Sequence, residues 1–253
     1  MITGDGRDRA AGREIEMATS WADESVAEEF REFDAALWWS HGYRYLPEEL
    51  ALGPGSRVLD VGCGSGELAR WFAAQYGSRV LAADPSEAML ARAEPAPRVS
   101  YRRLLDGRLD GIDDRSVDAA SSTFVYECEP DEDRLRRLTR EIARVLRPGG
   151  RFVLLGGNPD TLGVLFDGLR QGEPGVDYRP GDRFPVDMRR SDGSWSRVQD
   201  VYRTASAYEQ LLTGAGLELV RRRTPGSPDT GGRAPFLLLT ARRTGGEALG
   251  DRR

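Results

Sequence analysis

Val58-Leu59-Asp60-Val61-Gly62-Cys63-Gly64-Ser65-Gly66-Glu67 decides the fold. Its first residues read as a short buried strand ending at Asp60. A turn with glycine at every second position follows, and Leu68, Ala69, Phe72 and Tyr76 then recur at helical spacing. Strand, glycine turn and helix make the first half of a nucleotide-binding unit. Glycine lets the backbone turn sharply and lie against a ligand with no Cβ in the way. The helix N-terminus beyond it offers unpaired N–H groups and partial positive charge to an anionic ligand group.

Three further signals follow in order. Arg79-Val80-Leu81-Ala82-Ala83-Asp84-Pro85 is a second strand ending in an acid, with Pro85 holding Asp84 extended. An acid at that place accepts hydrogen bonds from ribose hydroxyls; it could also be a helix N-terminal acid beside Ser86. Met89 and Leu90 start a short helix, where Met89 either flanks a base or fills the core. Asp106-Gly107 forms a turn, and the small-residue run Val117–Phe124 suits a strand whose end a ligand approaches. Asp131 opens a helix with Leu135, Leu138, Ile142 and Val145 on one face, stopped by Pro148-Gly149-Gly150. Arg151–Leu155 is then the fifth strand. Alternating strands and helices predict a mostly parallel sheet covered on both faces, in a Rossmann-like three-layer α/β sandwich.

The flanks are less regular. Residues 1–20 read as a disordered tail and 243–253 as a second one, leaving 21–242 as a single domain. In its N-terminal cap, 21–50, Ser25 and Glu28 have capping-box spacing, and Val26, Phe30, Phe33 and Leu37 share one helix face. The run Trp38 to Tyr45 is aromatic and holds the single histidine, His41. These rings either pack the cap onto the core or line a pocket for a flat substrate. The ligand-binding core spans 51–155. Residues 156–203, rich in glycine and proline, read as an irregular lid, with one hairpin at Asp192-Gly193. A helix after Thr204 and strands at Leu217–Val220 and Pro235–Thr240 complete residues 204–242, with an antiparallel pair at the sheet edge.

Composition narrows the class. The 253 residues are 39% hydrophobic and 30% charged, enough for a sizeable core, and the net charge of −5 lacks a nucleic-acid footprint. Two cysteines make no disulfide framework, and no apolar run reaches membrane-spanning length, so a cytoplasmic protein without membrane partners is expected.

The residues now carry a resemblance. Val58–Gly66 resembles the first motif of the class I S-adenosylmethionine (SAM)-dependent methyltransferases, and Asp84-Pro85-Ser86-Glu87-Ala88-Met89-Leu90 resembles their second. Arg144–Gly150 is similar to the segment before their fifth strand. The likeness is close over roughly 50–155. It implies a seven-stranded sheet with its last strand antiparallel, and SAM as cofactor. It also implies that Asp60, Gly62, Gly64 and Gly66 surround the methionine part and that Asp84, with Pro85 and Met89, binds the nucleoside. Asp106 and Gly107 would meet the adenine edge, and Thr123 would lie near the methionine end. NAD is disfavoured, because the dinucleotide fingerprint needs its third glycine where Glu67 stands.

Methyl transfer from a sulfonium is an in-line displacement that asks chiefly for alignment and a dry pocket. No metal is needed. A hydroxyl acceptor would use a general base, and His41 is the one side chain whose ordinary pKa lies near neutrality. Tyr126-Glu127-Cys128 follows the fourth strand, where the crevice should open. Relatives of this kind carry histidine there and this chain does not, so Glu127, with Tyr126 beside it, is the alternative for orienting an acceptor. The expected partner is a small-molecule acceptor, such as a secondary metabolite, and a homodimer is left open. The competing reading is a SAM-binding protein that does not methylate, as a regulatory subunit or a cyclase-like enzyme.

Overall fold

The computed structural model describes residues 36–226 and 231–245. The expected tail at 1–20, the capping box at Ser25 and Glu28, most of the cap helix and residues 246–253 lie outside them.

The chain enters through α1 (Ala36–His41) and α2 (Leu46–Leu50). Then β1 (Arg57–Val61), α3 (Glu67–Tyr76), β2 (Arg79–Asp84), α4 (Glu87–Leu90) and β3 (Val99–Arg103) alternate as expected. They are followed by β4 (Val117–Thr123), α5 (Glu132–Val145) and β5 (Leu146–Gly157). After an insertion come α6 (Ala205–Gly214), β10 (Leu217–Arg223) and β11 (Phe236–Arg243). Seven strands form one sheet in the order β10-β11-β5-β4-β1-β2-β3. Neighbours from β5 to β3 run parallel, while β11 is antiparallel to both β5 and β10.

Local chemistry explains the ends. The Asp131 carboxylate accepts from the backbone N–H of Asp133 and Arg134 and caps α5, which turns Leu135, Leu138 and Ile142 into the core. β5 starts earlier than the sequence suggests. Val117 pairs with Leu146 and Ala119 with Arg151, so Arg147–Gly150 loops out of register between them. The Pro-Gly-Gly signal thus marks a bulge inside the strand's span rather than a gap before it.

The insertion departs from expectation. It holds β6 (Leu165–Phe166), β7 (Leu169–Gln171), β8 (Arg183–Arg189) and β9 (Trp195–Val201), which form a separate four-stranded antiparallel sheet in that order. The Asp192-Gly193 hairpin joins β8 to β9 as read. The other two strands are two and three residues long, too short to leave a period-2 pattern. Phe166, Leu169, Phe184, Val186 and Met188 of this sheet share one buried cluster with Leu37, Trp38, Leu46 and Phe72. Each such side chain, fully buried, favours folding by roughly 1.5–3 kcal/mol, so the insertion is part of the core. A second cluster, with Leu135, Ile142, Phe152, Tyr208 and Leu239, holds α5 and α6 to the sheet. Among the described residues, no helix is long and apolar enough to cross a membrane.

Candidate active site

Strand order reverses between β1 and β4: the chain goes outward from β1 to β3, returns to β4 on the other side and continues to β5. Ligands of open α/β sheets bind beyond the C-terminal strand ends at such a point. There a cavity of about 270 Å³ opens. The glycine turn, Asp60, Asp84, Pro85 and Met89 form one side of it. Trp38, Trp39 and Tyr43 of the N-terminal aromatic run form another, and Leu169, Val186, Met188 and Val198 of the inserted sheet a third. Thr123, Phe124 and Val125 close the end of β4. The two segments outside the common core, cap and insertion, thus meet over one cavity.

The backbone of the turn is pinned from below. Gly62 and Cys63 both donate to the Ala83 carbonyl, at 2.7 and 3.2 Å. Asp84, 6% exposed, accepts from Gly64 N–H through one oxygen and from Ser86 N–H through the other, each at 2.8 Å. Burial pushes its pKa up, against those two bonds. Ser86 in turn caps α4 by accepting from Met89 N–H. Phe124 has φ 57, a left-handed backbone that costs a non-glycine residue about 1–2 kcal/mol. It carries the chain round so that Val125 lies against Gly62.

Asp60 is buried at the centre. Ser121 Oγ donates to its Oδ1 at 2.9 Å, and Oδ2 is buried without a partner. Burial first, then the charge of Asp84, pushes its pKa up to about 7 against the Ser121 bond. A carboxyl raised this way favours the fold while protonated. That stability is fully present below the ordinary value of 3.8 and is lost as pH rises to about 7. Asp60→Asn keeps the acceptor for Ser121 without the ionisation. It should match the wild type near pH 4 and exceed it by on the order of a few kcal/mol near pH 8, read by thermal unfolding across that range. Two parallel stability curves would show that Asp60 does not titrate in this window.

Tyr43 hydrogen-bonds with Thr123, and burial, with Asp60 and Glu67, raises its phenol well above the ordinary range. It therefore stays a neutral donor. Burial also raises the Cys63 thiol, with Asp60 and Asp84 adding to the effect, so no thiolate forms there.

Not all expected site residues meet at the cavity. Asp60, Gly62, Gly64, Asp84, Pro85, Met89 and Thr123 line it; Gly66 stands just behind as the N-cap of α3. Asp106 and Gly107 do not. Asp106 is exposed and paired with Arg137 at 3.0 Å, and Gly107 packs against the backbone of Arg134, so the turn faces α5. His41 is off the cavity wall, with Nδ1 2.8 Å from Ser40 Oγ. Tyr126 is turned into the core, where its hydroxyl meets Thr139 at 2.9 Å and its ring packs near Phe152 and Tyr208. Glu127 borders a smaller cavity behind.

The sequence reading missed Asp200, Glu129 and Gln171, which line the main cavity. Asp200 lies on β9, across from Phe184 and two residues beyond Val198, which pairs with Val186. An acid in the inward phase of an alternating strand was the available signal.

Comparison with known proteins agrees with this geometry. The family described as "Methyltransferase domain" matches residues 59–154. N-demethylindolmycin N-methyltransferase of Streptomyces griseus is 35% identical over 234 residues, 88% of this chain and 98% of that protein. Sarcosine/dimethylglycine N-methyltransferase of Halorhodospira halochloris is 32% identical over a shorter stretch, 40% of this chain and 38% of that protein. The crystal structure of a SAM-dependent methyltransferase from Mesorhizobium loti superposes with a TM-score of 0.59 at 25% identity, covering 83% of this chain and 99% of that one. With the glycine turn, the strand-end acid and the seven-stranded sheet in place, the chain belongs to the class I SAM-dependent methyltransferases.

Proposed function

We propose that this methyltransferase acts on nitrogen in a small, largely apolar acceptor that bears no negative charge. One observation carries the reading: Asp60, Glu67, Asp84, Glu129 and Asp200 line the cavity, and among the described residues no arginine, lysine or histidine does. Such a site favours a cationic cofactor and a neutral or basic acceptor. It disfavours phosphates and carboxylates, which would find no cationic partner among the described residues of the wall and would face those carboxyls that stay ionised. The aromatic and aliphatic walls suit a flat body. The named activity of the Streptomyces griseus relative, N-methylation of a secondary metabolite, supports nitrogen as the target.

The residues fit SAM. The unpartnered Oδ2 of Asp60 offers a buried acceptor, and beside Gly64 on the cavity wall the space a Cβ would enter is open. In this reading Gly62, Gly64 and Gly66 hold the methionine part with Asp60 and Thr123. Asp84 takes the ribose hydroxyls, and Pro85 and Met89 flank the base. SAM supplies an electrophilic methyl group. The chain's own part is to align the acceptor and exclude water, with the aromatic cap and the inserted sheet as walls. His41 and Tyr126, being off the wall, take no part in proton transfer.

The test is turnover with SAM on a panel of apolar amines and their carboxylated or phosphorylated analogues, read by mass and by NMR of the product. Methylation at nitrogen of the uncharged or basic members alone is the expected result. Turnover of an anionic member, or methylation at oxygen throughout, overturns the reading.

A further inference from the structure

Asp200 on the cavity wall and Glu127 on the smaller cavity behind it have no part in the chemistry described above. Glu127 follows β4, and its carbonyl accepts from Val201 N–H at 2.8 Å, which fastens β9 beside it. Its side chain is buried: Oε1 accepts from Gly157 N–H at 3.0 Å and Oε2 has no partner. Asp200, the residue before Val201, borders both the main cavity and the smaller one that Glu127 faces. Cys128 Sγ donates to its Oδ1 at 3.5 Å.

Resting on the methyl-transfer reading, we propose that Asp200, backed by Glu127, is the group that receives the acceptor's amino nitrogen and takes up the proton it sheds. The nitrogen lone pair forms the new N–C bond while the S–C bond of the donor breaks, its electron pair remaining on sulfur. The methylated nitrogen then carries a proton too many and passes it to the Asp200 carboxylate. Two buried carboxyls that border one small cavity do not both ionise readily, so the pair holds one proton and keeps one vacancy for another. Burial and the neighbouring Glu127 charge push Asp200 up, and burial raises Glu127 as well, so the proton belongs to the pair. The other titratable or charged groups around the pair, among the described residues, are Arg203, Tyr202, Tyr208, Cys128 and Glu129. Arg203 is largely committed, donating to the carbonyls of Tyr126 and Glu129. Asp200 would be a catalytic residue in contact with the acceptor; Glu127 acts through it as a positioning residue.

The test measures binding of matched amine and alcohol pairs, such as tryptamine with tryptophol and smaller-ringed homologues, to protein loaded with S-adenosylhomocysteine. For the pairs that bind, the amine should bind at least ten-fold tighter than its alcohol in the wild type. Asp200→Asn should abolish that preference while S-adenosylhomocysteine affinity stays within about two-fold. Glu127→Gln should keep the preference and move the acid limb of amine binding to lower pH, because Asp200 then ionises without a neighbouring negative charge. Equal binding of amine and alcohol by the wild type overturns the inference alone, as does a preference that survives in Asp200→Asn or an acid limb unmoved in Glu127→Gln. Binding of none of the pairs overturns the small-molecule amine reading and the inference with it.

Discussion

Asp84→Ala should lower SAM affinity by a factor of about 30 to 1,000 in calorimetry. Two charge-assisted hydrogen bonds to ribose hydroxyls are together worth about 2–4 kcal/mol, which converts to that range. A strand-end acid facing a ligand is expected from sequence to matter little for folding. The structure changes that expectation. The Asp84 carboxylate also receives the N–H groups of Gly64 and Ser86, so it ties the glycine turn to the start of α4. Its loss leaves two backbone donors without their charged acceptor. Unfolding stability should therefore fall by about 1–3 kcal/mol, and part of the affinity loss will come from a turn no longer held in place. Asp84→Asn keeps the side-chain volume and one acceptor oxygen, and should fall between the two. If Asp84→Ala binds SAM as tightly as the wild type, the ribose assignment is wrong.

The second large effect separates two glycines that look equivalent in sequence. Gly62 and Gly64 both have positive φ, 74° and 55°. A Cβ at Gly62 would overlap Val125 Cγ2, whereas one at Gly64 meets no atom within 4 Å. Gly64→Ala therefore adds only left-handed strain, about 1–2 kcal/mol. Gly62→Ala adds the same strain and a clash with the β4 loop, a further 1–3 kcal/mol. Because the clash displaces the loop that carries Phe124 and Val125, Gly62→Ala should also lose SAM binding beyond detection. Urea unfolding of both variants checks the order. Equal destabilisation would mean that the β4 loop yields freely and that Val125 does not constrain the turn.

The common core was legible because its signals are local. Asp131 caps a helix by accepting from the N–H groups two and three residues on, and Asp84 is the last residue of its strand. The Gly62–Gly66 turn is dictated by backbone geometry within five residues. The strand alternation and the antiparallel edge pair were readable for the same reason. The aromatic run at Trp38–Tyr45 was readable as unusual, and of the two members expected from sequence to face the site, Tyr43 lines the cavity and His41 does not. Tyr43 reaches Thr123 while His41, the last residue of α1, stays beside Ser40; the chain turns at Gly42 between them.

What the sequence determined by itself was the sheet and its crevice, because strand periodicity, turn chemistry and caps act between neighbours in the chain; the cofactor followed from the resemblance of those motifs to a known family. What only the tertiary structure decided was the acceptor end. The inserted sheet is built from strands too short to leave a pattern, and it folds only because Phe166, Leu169 and Met188 find a buried cluster shared with α1 and α3. Asp200 meets Glu127 across 72 intervening residues because Val201 pairs with the Glu127 carbonyl. Asp106 lies off the cavity, exposed and paired with Arg137, in a turn that packs through Gly107 on α5. Such contacts depend on packing and charge between distant segments, and no local spacing encodes them.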